Sequence, residues 1–509
     1  MTPRASAQPA EPPPDAEPPP AAEPVPEGPP AAEAAAEAPP AAPASQPAPA
    51  APEPAPEPLP VPEPAPGAAA TPAPDPAAAP AAPALPLSVT GSFWTRYELR
   101  RGYHDHGLTT NARLHREGDY LVSRARLTVK TTPLDIGNDM KASATFAPQA
   151  AYTMGETGTT PANTTVGDQP PVTLYEGYAS VGGSTARVDA GRFMMDYGDS
   201  FIIGNLNWNE LGRSFNGARL HITPSESPLY IDVFGTLIHE GRTVTTDVVQ
   251  GDVYFWGVYA GLGPALGEGI DLDAYFLGQS TARNENVALT DPMDPMNTAL
   301  GEVEPTTDLT LGARLKGKTS LVDYRLETGI QFGKSPVNPT FTNQDPEALD
   351  KFAYQADAEL GINPAKGFRL AVEGLYASGN NPDTLDKDEG WNQLYPTAHK
   401  WLGWADIVGA RTNIMSGVLH VLYAPIEPLK LSVDAFYFKR PEMPPGKEGA
   451  MGSEIDSQIL YALGGGASVR GMYAVFLPNE DYWESATVSA ENAEKAMHYF
   501  EMQFGYDFK

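Results

Sequence analysis

Cysteine is absent from the 509 residues, which excludes disulfide staples and thiolate chemistry. Basic side chains are scarce: 34 Lys and Arg face 64 Asp and Glu, for a formal net charge of −30. Nucleic acid is thereby excluded as an expected partner, because binding it needs a basic patch that displaces counterions from phosphates. Nor does any run approach the roughly 20 apolar residues of a membrane-spanning helix. Strands that cross a membrane escape that test, since they alternate apolar and polar residues. Gly-x-Ser-x-Gly and P-loop motifs are missing too. His104-Asp105-His106 offers metal-ligand types without a third ligand at a recognised spacing, and is expected to be a solvated loop. The chain is therefore not read as an enzyme, and no metal or cofactor is expected.

Proline, by contrast, is abundant and unevenly spread. Residues 1–86 hold 31 of the 54 prolines together with eleven acidic residues and one basic residue. Such a Pro/Ala/Glu-rich segment cannot bury enough apolar surface to offset its ordering entropy, so a disordered tail is expected there. Its composition favours extended polyproline II, giving a periplasmic spacer or docking arm that would meet export partners or peptidoglycan. Ala5-Ser6-Ala7 has the small-x-small form of a cleavage site, so residues 1–7 are expected to be a signal-peptide remnant.

From Leu87 onward the pattern has period two. Val89, Gly91, Phe93 and Tyr97 alternate with Thr90, Ser92, Trp94, Arg96 and Glu98; Phe500, Met502, Phe504, Tyr506 and Phe508 do so with Glu501, Gln503 and Asp507. A soluble β-sandwich would alternate likewise. Connection lengths decide between the two. Short breaks at 133–138, 182–185, 223–228, 261–267, 317–320, 363–367, 425–428 and 464–466 alternate with long ones at 102–119, 151–172, 199–212, 240–251, 281–306, 334–351, 379–411, 441–453 and 477–494. Tight turns at one end and long loops at the other are the mark of an all-β, transmembrane, antiparallel up-and-down barrel. Residues 87–509 are expected to form about eighteen strands, with sixteen as the alternative. An even count puts both termini in the periplasm of a Gram-negative bacterium and the barrel in its outer membrane, against lipid.

Projected onto two faces, the strands send their charges inward, because a lipid-facing Arg costs about 2–4 kcal/mol at the bilayer midplane. Arg96, Arg124, Arg126, Arg219, Arg314, Arg325, Arg369 and Arg470 fall on that lumen face, as do Glu176, Asp189 and Asp456. Most are expected to pair across the lumen, and a subset to line a constriction that selects solutes. Arg192 shares parity with outward Val188 and Ala190; a bulge at Gly191 would turn it inward.

Three stretches resemble the alginate-export family of outer-membrane barrels. They are AGRFMMDYGDSFIIGNLNWNELGRSFNGARLHI (190–222), WNQLYPTAHKWLGWADIVGA (391–410) and GSEID (452–456), in the family's order. The resemblance implies an eighteen-stranded barrel through which an anionic polysaccharide leaves the cell along an arginine-lined constriction. It points to Arg192, Arg213 and Arg219, together with Arg124 and Arg126. Two departures bear on the pore: Phe193 and Met194 follow Gly-Arg where polar residues are usual, and Asn216 replaces the usual Asp.

The 391–406 segment also has a physical reading of its own. Trp391, Tyr395, Trp401 and Trp404 could stack on sugar faces, with His399, Lys400 and Asp406 supplying hydrogen bonds and charge; equally, the aromatics could pack against the barrel wall. The expected function is passage of an exopolysaccharide, expected to be anionic. A diffusion porin for small sugars or anions is the alternative, and an outer-membrane hydrolase or a membrane-to-wall anchor represents other classes.

Overall fold

In the strands, apolar and charged residues exchange the places they hold in a soluble protein. Leu326 and Ile330 are 43% and 41% exposed, while Arg325 and Glu327, on either side of Leu326, are 5% and 3% exposed. A chain that turns its Leu, Ile, Phe and Tyr outward and seals its charges inside is built for a hydrocarbon solvent. In the computed structural model the described residues are 87–508, apart from 107, 109–116, 155–171, 225–228, 241–250, 264–268, 292–293, 336–347, 385–386 and 486. The tail at 1–86, with the spacer and signal-remnant expectations attached to it, lies outside them.

Eighteen antiparallel strands form the barrel. They are β1 (Leu87–Arg101), β2 (Gly118–Thr131), β3 (Met140–Met154), β4 (Val172–Gly182), β5 (Ala186–Phe193), β6 (Phe215–Ile222), β7 (Tyr230–His239), β8 (Val253–Gly261) and β9 (Ile270–Thr281). The second half comprises β10 (Thr306–Lys318), β11 (Val322–Ser335), β12 (Leu349–Ala365), β13 (Phe368–Ala377), β14 (Ile414–Ile426), β15 (Leu429–Lys439), β16 (Ala450–Gly464), β17 (Ala467–Pro478) and β18 (Met497–Phe508). Sequential strands pair, and β18 closes on β1 from Gly91↔Phe508 to Arg101↔His498, so no open edge is left. Sixteen strands is thereby ruled out. Among the described residues no helix is long and apolar enough to cross a membrane.

Long and short connections sort to opposite ends, as the break lengths predict, and β1 begins at the same end at which β18 finishes: the end that carries the turns. One expectation is corrected. The ladder runs unbroken from Gly177↔Arg192 to Gly182↔Arg187, and on the other side from Ala186↔Ile222 to Phe193↔Phe215, so no residue is inserted at Gly191. Gly191 instead absorbs a local distortion at φ +132°, a conformation L side chains rarely adopt. The register shift lies one hairpin earlier, where Ala147 faces Glu176 and Pro148 faces Leu174, leaving Tyr175 as the extra residue.

Candidate functional site

The lumen is occupied by two connections folded into it: the β5–β6 loop at 194–214 and the β13–β14 loop at 378–413. Backbone can be buried only when its polar groups find partners, and the first loop supplies its own. Asp196 accepts from Ser200 (2.5 Å) and Asn205 (2.8 Å), Asn205 from the Asn207 amide (2.9 Å), and Asn209 from the Leu211 amide (3.2 Å). Its apolar residues Met195, Phe201, Ile202 and Ile203 join Trp391, Trp401, Leu402 and Ile407 of the second loop in one buried cluster.

The loops also share backbone hydrogen bonds. Ile203 and Tyr395 form a parallel bridge, Tyr395 donates to Ile202 (3.0 Å), Gly204 to Tyr395 (2.8 Å) and Thr397 to Ser200 (2.9 Å). A Cβ at Gly204 would stand 2.4 Å from the Thr397 hydroxyl, so glycine is what lets the two backbones approach. Arg213 clasps the junction, donating to the carbonyls of Gly204 (3.2 Å), Pro396 (2.9 Å) and Tyr395. Burial pushes its guanidinium down to about 10, which leaves it charged at neutral pH.

Wall residues hold this plug all round. Asp199 receives Arg314 (2.8 Å) and Lys316 (2.9 Å). Burial opposes ionisation of the Asp199 carboxyl, yet the Lys316 hydrogen bond and the Arg314 charge outweigh it and hold the group down at about 2. Glu454 and Asp456 accept from the Ala405 (2.8 Å) and Trp404 (3.1 Å) amides, and Tyr103 donates to the Ala405 carbonyl (2.7 Å). Arg96 donates to the Trp208 carbonyl at 3.0 Å.

The arginines projected inward divide into two groups. Arg96 binds Glu98 at 2.6 Å, Arg219 binds Asp189 at 2.8 Å, Arg314 binds Asp273 at 2.8 Å, and Arg470 binds Glu501 at 2.6 Å. Arg325 pairs with Asp357 and Glu373, and Arg369 with Asp323 and Glu359. Arg124 and Arg126 stand apart. Arg124 is 3% exposed and donates only to the carbonyls of Asn207 (3.0 Å) and Asn209 (3.1 Å). Arg126 donates to Gln149 (2.8 Å) and the Asn207 side chain (3.0 Å) and lies over the Tyr175 ring. Neither has an ion pair among the described residues. Arg192 likewise meets only neutral acceptors, the Leu174 carbonyl (2.8 Å) and the Asn216 amide oxygen (3.0 Å). Every other strand arginine has a carboxylate within 4 Å. Glu176 accepts from the Met194 amide at 3.2 Å, where the first loop leaves the wall.

In the second loop, Trp391 and Trp401 are each 1% exposed and sealed in the plug, so neither offers a ring face to a solute. His399 lies 2.6 Å from Asp406, and both are buried. Tyr395 packs on Phe255 and reaches Gln279 at 3.4 Å, Lys400 is exposed above the Trp401 ring, and Trp404 is half-buried. Sequence reading missed three anchors of the plug: Asp199, Glu454 and Arg411, whose guanidinium donates to the Phe201 carbonyl. Asp199 and Glu454 nevertheless belong to the quoted stretches 190–222 and 452–456. His106 is buried against Trp483, and the described residues contain no group of metal-ligand side chains.

The model of the alginate export family matches residues 85–443. No curated protein matches the chain at a significant level. Among solved structures, Pseudomonas aeruginosa OccK2 (OpdF) in complex with glucuronate superposes with a TM-score of 0.54 at 11% identity, covering 83% of this chain and 98% of that one. Acinetobacter baumannii OccAB1 does so with 0.55 at 11%, over 83% and 96%. P. aeruginosa OpdK with vanillate does so with 0.53 at 9%, over 83% and 98%. These likenesses are of fold. The chain belongs to the alginate export family and is an outer-membrane β-barrel channel.

Proposed function

We propose that this channel exports an anionic exopolysaccharide along the sector of its lumen lined by Arg124 and Arg126. The observation that carries the reading is the unpaired charge of those two guanidiniums in a wall whose other strand arginines, Arg192 apart, each have a carboxylate within 4 Å. A guanidinium held by carbonyls and amides keeps its positive field, and in a narrow lumen that field concentrates carboxylates. A polymer passes only if the clasp between the two loops opens, so the Arg213 junction is the gate in this reading. β1 begins and β18 finishes at the turn end, which faces the periplasm in this reading, and the proline-rich tail docks the partners that deliver polymer. In planar bilayers, oligogalacturonates are expected to block the current, and Arg124→Gln with Arg126→Gln to weaken the block about tenfold, or ~1.4 kcal/mol. A large current indifferent to oligogalacturonate would refute export.

A second reading, a porin for small carboxylates, draws on the size of the space left around the plug. One lumen cavity measures only about 350 Å³. Liposome swelling in monomeric uronate, with no efflux of the oligomer, would favour it.

A further inference from the structure

A second cavity, of about 370 Å³, opens at the turn end of the wall formed by β3, β4, β5 and β6. Its lining is polar. Ser180 and Ser184 bring hydroxyls, Lys141 and the half-exposed Arg187 bring cations, and His221 and Thr223 stand together on one side.

His221 and Thr223 are two positions apart, so they share the inward face at the end of β6, and the register sets Asp232 of β7 opposite His221. Thr223 Oγ1 lies 2.9 Å from His221 Nε2, and His221 Nδ1 lies 2.5 Å from Asp232 Oδ1. Asp232 is buried, whereas His221 and Thr223 both reach the cavity. Two contacts hold the acid in place: the Tyr197 hydroxyl of the first inserted loop donates to Oδ2 at 2.6 Å, and Arg219 stands 3.9 Å away. The Tyr230 ring, stacked at 6.1 Å, keeps the imidazole in plane with its partners. A carboxylate can only accept, so the proton between it and the ring sits on Nδ1, and Nε2 is left to accept from the Thr223 hydroxyl. That is the tautomer in which an imidazole serves as general base to a hydroxyl nucleophile. One hairpin, β6–β7, positions all three residues, so the arrangement needs no Gly-x-Ser-x-Gly elbow.

We propose that Thr223 and His221, positioned by Asp232, form an esterase site that hydrolyses short acyl esters of hydroxylated solutes at the turn end of the lumen, whichever solute the channel passes. Thr223 Oγ1 attacks the ester carbonyl carbon while His221 Nε2 takes the hydroxyl proton; the bond to the alcohol oxygen breaks, and Nε2 returns the proton to that leaving oxygen. Water then adds to the acyl-threonine, passing a proton to Nε2. The Thr223 ester bond breaks, the carboxylic acid leaves, and Thr223 recovers the proton from His221. Lys141 and Arg187 face the same space and offer N–H donors to the oxyanion of each tetrahedral intermediate. The volume, at the low end of small-molecule sites of about 300–1,000 Å³, limits the acyl group, and the serine hydroxyls suit an alcohol portion with hydroxyls of its own.

The test is turnover of para-nitrophenyl acetate by the full chain in detergent, with heat-modifiable migration showing that each variant is a folded barrel. Saturable hydrolysis beyond one equivalent of nitrophenol is expected, falling at least about a hundredfold in Thr223→Val and His221→Gln and retained in Thr223→Ser. Asp232→Asn should lower kcat by a similar factor with KM unchanged, because the wrong tautomer removes the base and spares binding. Acid quenching should trap an acetyl group on the peptide that contains Thr223. A folded wild-type channel that releases no more than one equivalent overturns the activity. Folded Thr223→Val or His221→Gln at the wild-type rate overturns the site, and a Thr223→Ser as inactive as Thr223→Val overturns the nucleophile.

Discussion

Two sectors of the same lumen use arginine in opposite ways. On β10–β13, Arg314 and Arg369 each meet two carboxylates and Arg325 meets three; of these, Asp199 comes from the inserted loop. On β2, Arg124 and Arg126 meet carbonyls, amides and aromatic rings. The residue type is shared; what differs is the neighbour. Paired charges stitch neighbouring strands and, at Asp199, tie wall to plug, and unpaired ones leave a field for a solute.

The largest effect belongs to the paired sector. Arg325→Ala takes the guanidinium from the buried Asp357 and leaves Glu373 with only His420, at 3.4 Å, and is expected to cost about 3–5 kcal/mol. The check is the urea midpoint of the barrel in lipid vesicles; an unchanged midpoint would show that the two acids find other partners. Next is the loop junction. Gly204→Val drives a side chain into Thr397 and should part the two loops, raising single-channel current severalfold while heat-modifiable migration stays that of a folded barrel.

A pH effect follows from Asp199. Its folded pKa, about 2, lies below the ordinary value of about 3.9, so its contribution to plug docking is complete above the ordinary value and is lost as pH falls through the folded one. Current fluctuations should therefore grow between about pH 4 and pH 2, and Asp199→Asn should show them at neutral pH. The smallest effect is expected at Arg192. With only a backbone carbonyl and Asn216 as acceptors, Arg192→Lys should shift stability by no more than about 0.5 kcal/mol, again by urea midpoint.

The barrel was legible because its signals are local. Period-two alternation in segments such as 322–332, and glycine- and proline-rich turns between short gaps, need no tertiary information. Faces followed from parity: Arg96, Asp189 and Arg325 are buried inside as projected. Parity does not say who the neighbour is. The pairing of Arg314 with Asp199 spans 115 positions, and that of Arg96 with Glu501 joins opposite ends of the barrel sequence. Nor does it say that a long loop turns into the lumen. The aromatics of 391–404 suit a solute or a core equally well, and only Ile203 meeting Tyr395 shows that Trp391 and Trp401 are core. At Gly191 the sequence rule pointed to an inserted residue, but glycine also accommodates φ +132° with the ladder intact.

The contrast between the two sectors is tested most directly by the reversal potential of single channels in a tenfold KCl gradient. Despite the chain's net charge of −30, the channel is expected to prefer chloride and to lose that preference in Arg124→Gln/Arg126→Gln. A wild-type channel that prefers potassium, or a double variant that keeps the chloride preference, would contradict it.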